Sequence, residues 1–125
     1  MDGRVYQQWD IWQVNWVHED GQIKDRPALL LTDSALNASR ETLLFAKITG
    51  TLGEAELRFT LDWQDPERAE NGLSKTSHVY LANQQEVEKR AVLYRRGRLG
   101  PQQAERLKAM LESKLGRLRR KPQGG

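Results

Sequence analysis

Two side chains that could contact a phosphate group lie at the ends of apolar segments. Arg26 precedes Pro27 and the apolar residues 28–31, and Thr49 closes another apolar segment just before Gly50. A proline restricts the residue before it to an extended backbone, which would hold the arginine at the mouth of a strand. A guanidinium is permanently charged and its fork of N–H groups matches phosphate oxygens. A threonine hydroxyl can donate to the same oxygens.

Each of these residues also has an ordinary explanation. Arg26 could form a surface ion pair with Asp25 or Asp20, and such pairs are common and weak. Thr49 could be present because β-branched residues favour strands. The residues alone leave both alternatives open.

The sequence lacks the patterns of several other kinds of site. It has no cysteine, and its two histidines, His18 and His78, are far apart. Neither thiolate nor His-x-x-x-His spacing is present, so no zinc site is predicted. Neither a phosphate-binding P-loop nor a Gly-x-Ser-x-Gly nucleophile elbow occurs. We therefore expect neither a metal nor a cofactor.

Length and composition predict one globular domain. The 125 residues are 38% hydrophobic and 30% charged, which is typical of a folded chain of this size. No apolar run approaches the ~20 residues that span a bilayer, and the first ten residues lack the apolar segment of a signal peptide. With no cysteine, this predicts a cytoplasmic protein. We expect a domain over residues 1–116 and a basic, disordered tail over residues 117–125.

Positive charge is concentrated near the end of the chain. The tail holds four cations and no acid, so the net charge of +3 falls to −1 over residues 1–116. A second basic cluster precedes the last predicted helix and comprises Arg90, Arg95, Arg96 and Arg98. Basic clusters attract phosphate backbones, although a solvated surface explains the same pattern.

The first two thirds of the sequence predict short strands. Trp12, Val14 and Trp16 alternate with polar residues, which predicts a strand over residues 9–17 with these three on one face. The run after Pro27 predicts a central strand over residues 26–32, buried on both faces and entered at the proline. Further strands are predicted at 43–49, at 57–61 and around 79–81. Residues 62–76 are predicted to form a long, polar, irregular loop, and such loops are often functional.

Helical segments are predicted at two places. Asp33 and Ser34 could cap a short helical turn through Asn37. Pro101 suits the first position of a C-terminal helix, whose apolar stripe needs a surface to cover; its members are Ala104, Leu107, Leu111, Leu115 and Leu118. The pattern predicts a mainly β fold with α, in which a small, bent sheet or open barrel carries a C-terminal amphipathic helix.

In the order and spacing of its motifs, the chain resembles the MazF/PemK toxins of type II toxin–antitoxin systems over roughly residues 8–115. The family's Gly-Asp-Ile-like step and its Arg-Pro-Ala/Val-Leu-Val strand are both matched, as are an asparagine, an Ile-Thr-Ser-like strand end and two glycine motifs. The matching residues are Trp9-Asp10-Ile11, Arg26-Pro27-Ala28-Leu29-Leu30-Leu31, Asn37, Ile48-Thr49-Gly50, Gly72-Leu73 with Ser77, and Gly97 with Leu99.

The resemblance implies an SH3-like barrel of the CcdB/PemK type, a homodimer and a cognate antitoxin partner. It also implies a sequence-specific, metal-independent endoribonuclease that cuts single-stranded RNA to a 2′,3′-cyclic phosphate and a 5′-hydroxyl. The family's catalytic arginine falls on Arg26 and its catalytic threonine on Thr49. A general base or supporting group could come from His18, Glu19 or Asp20.

Other residues become candidates for binding RNA. Polar side chains that could contact it are Lys47, Thr51, Lys75, Ser77 and Asn83. Bases of single-stranded RNA stack on aromatic side chains, for which Trp9, Trp63 and Tyr80 are candidates.

The chain departs from the family at two positions after its fifth strand and at one position two residues before the first of them. Many members have Asp/Glu-Gln-x-Arg-Thr, but here Ala82 stands at the carboxylate and Gln85 at the arginine. Tyr80 stands where some members have a catalytic arginine. These departures favour a second hypothesis, a catalytically impaired barrel that binds RNA or a protein. A gyrase-directed toxin similar to CcdB is a third, against which the Arg26-Pro27 strand argues.

Overall fold

The structure is a computed structural model, and it describes residues 3–53 and 57–119. In the last helix, side chains are described as far as residue 114. Ten elements follow one another along these described residues. The strands are β1 Asp10–Val17, β2 Ile23–Leu30, β3 Thr42–Thr49, β4 Arg58–Leu61, β5 Ser77–Glu88 and β6 Val92–Arg98. The helices are α1 Ser34–Asn37, α2 Arg68–Asn71 and α3 Pro101–Arg119, with a 3₁₀ turn at Lys89–Ala91.

The strands form one antiparallel sheet of six, in the order β4-β5-β3-β2-β1-β6. Strands β4 and β6 are its edges, and within the described residues they do not pair with each other, so the barrel is not closed. The mainly β fold with a C-terminal helix, predicted from sequence, is confirmed.

Strand β2 differs from the prediction at its start. It begins at Ile23, so Pro27 lies inside the strand and not at its entry. Residues 23–27 pair only with β1, whereas the ladder to β3 covers residues 28–30. A proline has no N–H to donate to a ladder, and here it lies where β2 separates from β3. This separation opens the sheet beside the end of β3.

Strand β6 was not predicted as a strand. Its sequence holds three arginines, and only Val92 and Gly97 in it are buried, so no apolar alternation reveals it. It lies at the sheet edge, where charged side chains are common because they discourage pairing with other chains.

The sheet is covered by apolar side chains on both faces. One cluster contains Trp12, Val14 and Trp16 together with residues of β2, β3 and β5, which confirms the predicted common face of the three. The other cluster lies under α3 and includes Ile11, Leu29 and the fully buried Leu107.

Helix α3 is held by its apolar stripe and by the 62–76 loop. Ala104 and Leu111 pack against the same cluster as Leu107, while Leu115 and Leu118 lie outside the described side chains. Glu67 of the loop accepts from the backbone N–H groups of Gln102 and Gln103 at 3.1 and 2.8 Å. These are among the N–H groups that a helix cannot satisfy internally.

The helix continues through Arg119, three residues past the boundary predicted at residue 116. The rest of the predicted tail, residues 120–125, lies outside the described part of the chain. Among the described helices, none has the length and apolar character needed to cross a bilayer.

Trp9 adopts a left-handed backbone, with φ of 73°. At this position the MazF/PemK family, which the sequence resembles, has the glycine of its Gly-Asp-Ile-like step. The conformation is fixed from both sides, because Trp9 N–H donates to Leu30 O at 2.8 Å and Trp9 O accepts from Leu99 N–H at 2.9 Å. A side chain in this region costs about 1–2 kcal/mol.

Leu107→Ala should lower the free energy of unfolding by about 2 to 5 kcal/mol, because the leucine is fully buried and the cavity refills poorly. Lys108→Ala on the same helix is the control, since an exposed substitution should change it by no more than about 0.5 kcal/mol. Urea unfolding of the unaltered chain and of the two variants measures the free energy of unfolding in each case. Equal effects of the two substitutions would show that α3 is not docked as described.

Trp9→Gly should be more stable than Trp9→Ala by about 1 kcal/mol. Both variants lose the indole, but only alanine retains a Cβ that disfavours the left-handed backbone. Chemical unfolding of the matched pair tests this. The reverse order of stabilities would mean that residue 9 does not adopt this conformation.

Candidate active site

Strand register places the candidate catalytic residues on one face of the sheet. Residues directly opposite each other in an antiparallel pair share a face. Ala28 of β2 lies opposite Lys47 of β3. Extending that register by two residues places Arg26 opposite Thr49, just beyond the end of the ladder. The guanidinium and the hydroxyl therefore project from neighbouring strands to the same side.

Arg26 is half-buried, and its Nη1 donates to the backbone carbonyl of Asp25 at 2.9 Å. Within the described residues its guanidinium makes no ion pair with a carboxylate. The alternative of a surface pair with the Asp25 or Asp20 side chain is therefore not what the structure shows. The rest of the guanidinium fork is left for another partner.

The Thr49 hydroxyl is also available as a donor. Its Oγ1 accepts from the backbone N–H of Thr51 at 3.2 Å. Because that bond uses a lone pair, the hydroxyl hydrogen can still be donated elsewhere.

A depression of about 690 Å³ lies beside Thr49. Its lining includes Glu19 from the β1–β2 turn, Lys47 from β3 and Asn83 from β5. A second depression, which shares these three residues, extends to His18 and Asp20. The two together form a polar groove between the β1–β2 turn, the end of β3 and the middle of β5.

Most of the residues predicted from sequence meet at this groove. Lys47, Thr49 and Thr51 line it together with Asn83 and the turn residues 18–20. Arg26 does not line it, although it shares the face of Thr49. Lys75 lies nearby, with its Cε only 2.5 Å from where a Cβ on Gly50 would be.

Ser77 is not brought to the groove. It is buried, lies opposite Leu61, and donates its hydroxyl to the carbonyl of Lys75 at 3.1 Å. Successive residues of a strand point to opposite faces, so Ser77 points away from the face of its neighbour His78.

Comparison with known proteins now identifies the family. The sequence profile of the PemK-like, MazF-like toxins of type II toxin–antitoxin systems matches residues 7–115. The chain belongs to this family. No curated protein matches it in sequence.

Solved structures of such toxins share the fold. The Mycobacterium tuberculosis toxin MazF-mt6 has a TM-score of 0.67 at 23% identity, over 86% of this chain and 96% of that one. MazF from Deinococcus radiodurans has a TM-score of 0.66 at 18% identity, over 90% and 98%. An endoribonuclease in complex with its cognate antitoxin, from a mycobacterial species, has a TM-score of 0.67 at 14% identity, over 89% and 95%.

Two of the three departures from the family pattern now have structural roles. Tyr80 fastens the loop after β3, because its hydroxyl donates to Thr51 O at 2.9 Å and accepts from Gly53 N–H at 2.7 Å. Gln85 fastens the end of β1, because its amide donates to Val17 O at 2.5 Å and accepts from Val17 N–H at 3.2 Å. Ala82 lines the groove and supplies no carboxylate to it.

The aromatic candidates are placed differently from one another. Trp9 packs against the core under α3, and the Tyr80 hydroxyl is bonded to the loop after β3. Trp63 is 42% exposed, and the guanidinium of Arg68 lies 5.6 Å from its ring centre. Trp63 therefore presents the most accessible ring of the three.

The second basic cluster forms contacts within the fold. Arg95 pairs with the buried Asp10 at 3.3 Å, and Arg98 pairs with Glu70 at 3.6 Å. Arg96 donates to Gly72 O and to a side-chain oxygen of Gln13. Most of this cluster attaches β6 to its neighbours.

One polar group of the site was missed by sequence reasoning. His78 of β5 lies opposite Thr49 on one side and opposite Thr60 on the other. Its Nδ1 is 3.0 Å from the Thr60 hydroxyl. Residues 49, 60 and 78 have no motif spacing in common, so only the pairing of three strands could have revealed the group.

Tyr80→Phe should speed hydrogen exchange of the Gly53 amide by roughly five- to tenfold, because it removes a hydrogen bond worth about 1 kcal/mol. Tyr94→Phe is the matched control, since Tyr94 is exposed on β6. Amide exchange followed by NMR measures both. Unchanged protection of Gly53 in Tyr80→Phe would show that the hydroxyl does not hold the loop.

Proposed function

We propose that this toxin is a metal-independent endoribonuclease that cuts single-stranded RNA at specific sequences, leaving a 2′,3′-cyclic phosphate and a 5′-hydroxyl. The proposal is supported by the register of β2 and β3, which, extended by two residues, puts Arg26 and Thr49 on the same face of the sheet. Both have hydrogen-bond donors not used by the fold, and Thr49 lines a polar groove.

The chemistry needs little covalent help from the protein. The 2′-hydroxyl of RNA attacks the adjacent phosphorus, negative charge grows on the non-bridging oxygens, and the 5′-oxygen leaves. Donors aimed at the developing charge are the main source of acceleration in such reactions. In the proposal, Arg26 spans the phosphoryl oxygens and the Thr49 hydroxyl donates to one of them.

Other residues of the groove would hold the RNA strand. Lys47 carries the charge closest to Thr49 along β3, and Thr51 and Asn83 offer hydrogen bonds to sugar or base edges. Lys75 would add charge at the edge. The buried hydroxyl of Ser77 is left out of the proposal. Glu19, Asp20 and His18 stay candidates for supporting roles at the turn.

The proposed partners follow from the family. Antitoxins bind the toxins in several of the similar structures, including MazE–MazF complexes of Deinococcus radiodurans. We therefore expect a cognate antitoxin that silences this chain, and a homodimer as the active form in the cytoplasm.

Arg26→Lys and Thr49→Val should each lower kcat for RNA cleavage by about 10²- to 10³-fold while leaving the fold intact. Lysine keeps the charge but loses the fork, and valine keeps the shape but loses the hydroxyl. The assay is cleavage of a long single-stranded RNA in EDTA, with the new 5′ ends mapped. Arg90→Lys, an exposed arginine outside the groove, is the control and should cleave normally.

A second function is favoured by Ala82, which leaves the groove without the carboxylate that many members have there. On this reading the groove binds RNA without cutting it. Filter binding of the same RNA separates the two functions. Binding by the unaltered chain with no new 5′ ends would replace the nuclease proposal with the binding one.

A further inference from the structure

His78 completes a row of polar side chains across four strands. Thr49 of β3 and Thr60 of β4 lie directly opposite it on its two sides. In the paired strands, residues opposite each other have Cβ atoms about 5 Å apart. Arg26 lies on the same face beyond Thr49, past the end of the β2–β3 ladder. In order across the sheet, the row consists of the guanidinium of Arg26, the hydroxyl of Thr49, the imidazole of His78 and the hydroxyl of Thr60.

One nitrogen of the imidazole ring is close enough to a hydroxyl to orient the ring, and the other nitrogen has no such neighbour among the described residues. Nδ1 lies 3.0 Å from the Thr60 hydroxyl. Nε2 has no hydrogen-bond partner in the part of the chain that the structure describes. The side chain is half-buried, so the ring is supported but still reached by solvent. If Nδ1 carries the proton and donates it to Thr60, the lone pair of Nε2 is free to accept one.

The surroundings of the ring suit a phosphodiester. Cations close to the ring are Lys47 on β3, Arg58 on β4, Arg26 on β2 and Lys75 in the loop before β5, and Tyr80 lies two residues along β5. Carboxylates are also present: Asp62 follows β4, Asp25 precedes Arg26, Glu19 lines the groove, and Glu86 and Glu88 lie toward the far end of β5. The two charged residues nearest the ring in strand register, Lys47 and Arg58, are both cations. A phosphate would therefore be drawn to this row, and histidine is the side chain that exchanges a proton most readily near neutral pH.

We propose that His78 is the general base of the cleavage reaction. This inference rests on the proposed ribonuclease function and assigns the base to a residue other than those at the β1–β2 turn. Nε2 of the neutral ring takes the proton of the 2′-hydroxyl as O2′ bonds to phosphorus.

The bond from phosphorus to O5′ breaks, and the leaving oxygen takes a proton from solvent water. The imidazolium then returns its proton to the hydroxide so formed, so no proton is gained or lost overall. Thr60 is a positioning residue, since it contacts the ring and not the RNA.

The test is the pH dependence of kcat and kcat/KM for cleavage of a single-stranded RNA in EDTA. For the unaltered chain, activity should fall along an acid limb as the pH is lowered, because a protonated ring has no lone pair left to accept the proton of the 2′-hydroxyl. His78→Gln should lower kcat by about 10²-fold or more, leave KM within about threefold, and remove this acid limb. Glutamine can still bond Thr60 but cannot accept a proton.

Two further variants separate catalysis from folding. His78→Ala should regain activity when imidazole is added to the assay, which a merely destabilised protein would not do. Thr60→Val should lower kcat by about tenfold and keep the acid limb, because the base is still present but less well held. Urea unfolding checks that each variant is folded.

The competing bases are tested in the same assay. His18→Gln should keep the acid limb, and so should Glu19→Gln and Asp20→Asn. Loss of the limb in His18→Gln, or its persistence in His78→Gln at undiminished kcat, would overturn the assignment while leaving the ribonuclease function standing. No cleavage by the unaltered chain would overturn the function itself and the assignment with it.

Discussion

The pairing of β3 with strands on both sides is the constraint on which the site depends. On one side β3 is paired with β5 up to its last residue, and on the other it leaves β2 after three pairs. The closed ladder fixes Thr49 against His78, whereas the separation from β2 leaves the face beside Thr49 open. A fully paired β2 would require a donor where Pro27 has none. The proline therefore helps to make the site accessible.

Some of the fold was readable from sequence because its signals are local. The alternation of Trp12, Val14 and Trp16 predicted their common face, and Asp33 was correctly expected to cap the short helix α1, where its side chain accepts from the N–H of Ala35 at 2.8 Å. The stripe on α3 predicted the burial of Leu107. Strand β6 and the polar half of β5 were missed, since an edge strand and a stretch next to a bulge carry no apolar period.

Residues of the candidate site could be predicted from sequence only where they belong to a family motif. Arg26 and Thr49 belong to such motifs, but that they share a face follows only from the register of β2 and β3. His78 could not be found in that way, since its neighbours Thr49 and Thr60 come from strands that are distant in sequence. The roles of Tyr80 and Gln85 could not be predicted from sequence either. Each side chain forms hydrogen bonds with backbone atoms, and such bonds produce no pattern of residue types along the sequence.

The backbone after α2 lies in direct contact with the backbone of β6. A Cβ on Gly72 would lie 2.0 Å from Arg96 O, and one on Gly97 would lie 2.2 Å from Glu70 O. The two backbones touch with no room for a methyl group, so the two motif glycines share a single contact. Gly72 has a second reason to be glycine, because it ends α2 in the left-handed conformation, with φ of 69°. A sequence that has replaced either glycine has moved its 62–76 loop, and with it the Glu67 carboxylate that caps α3.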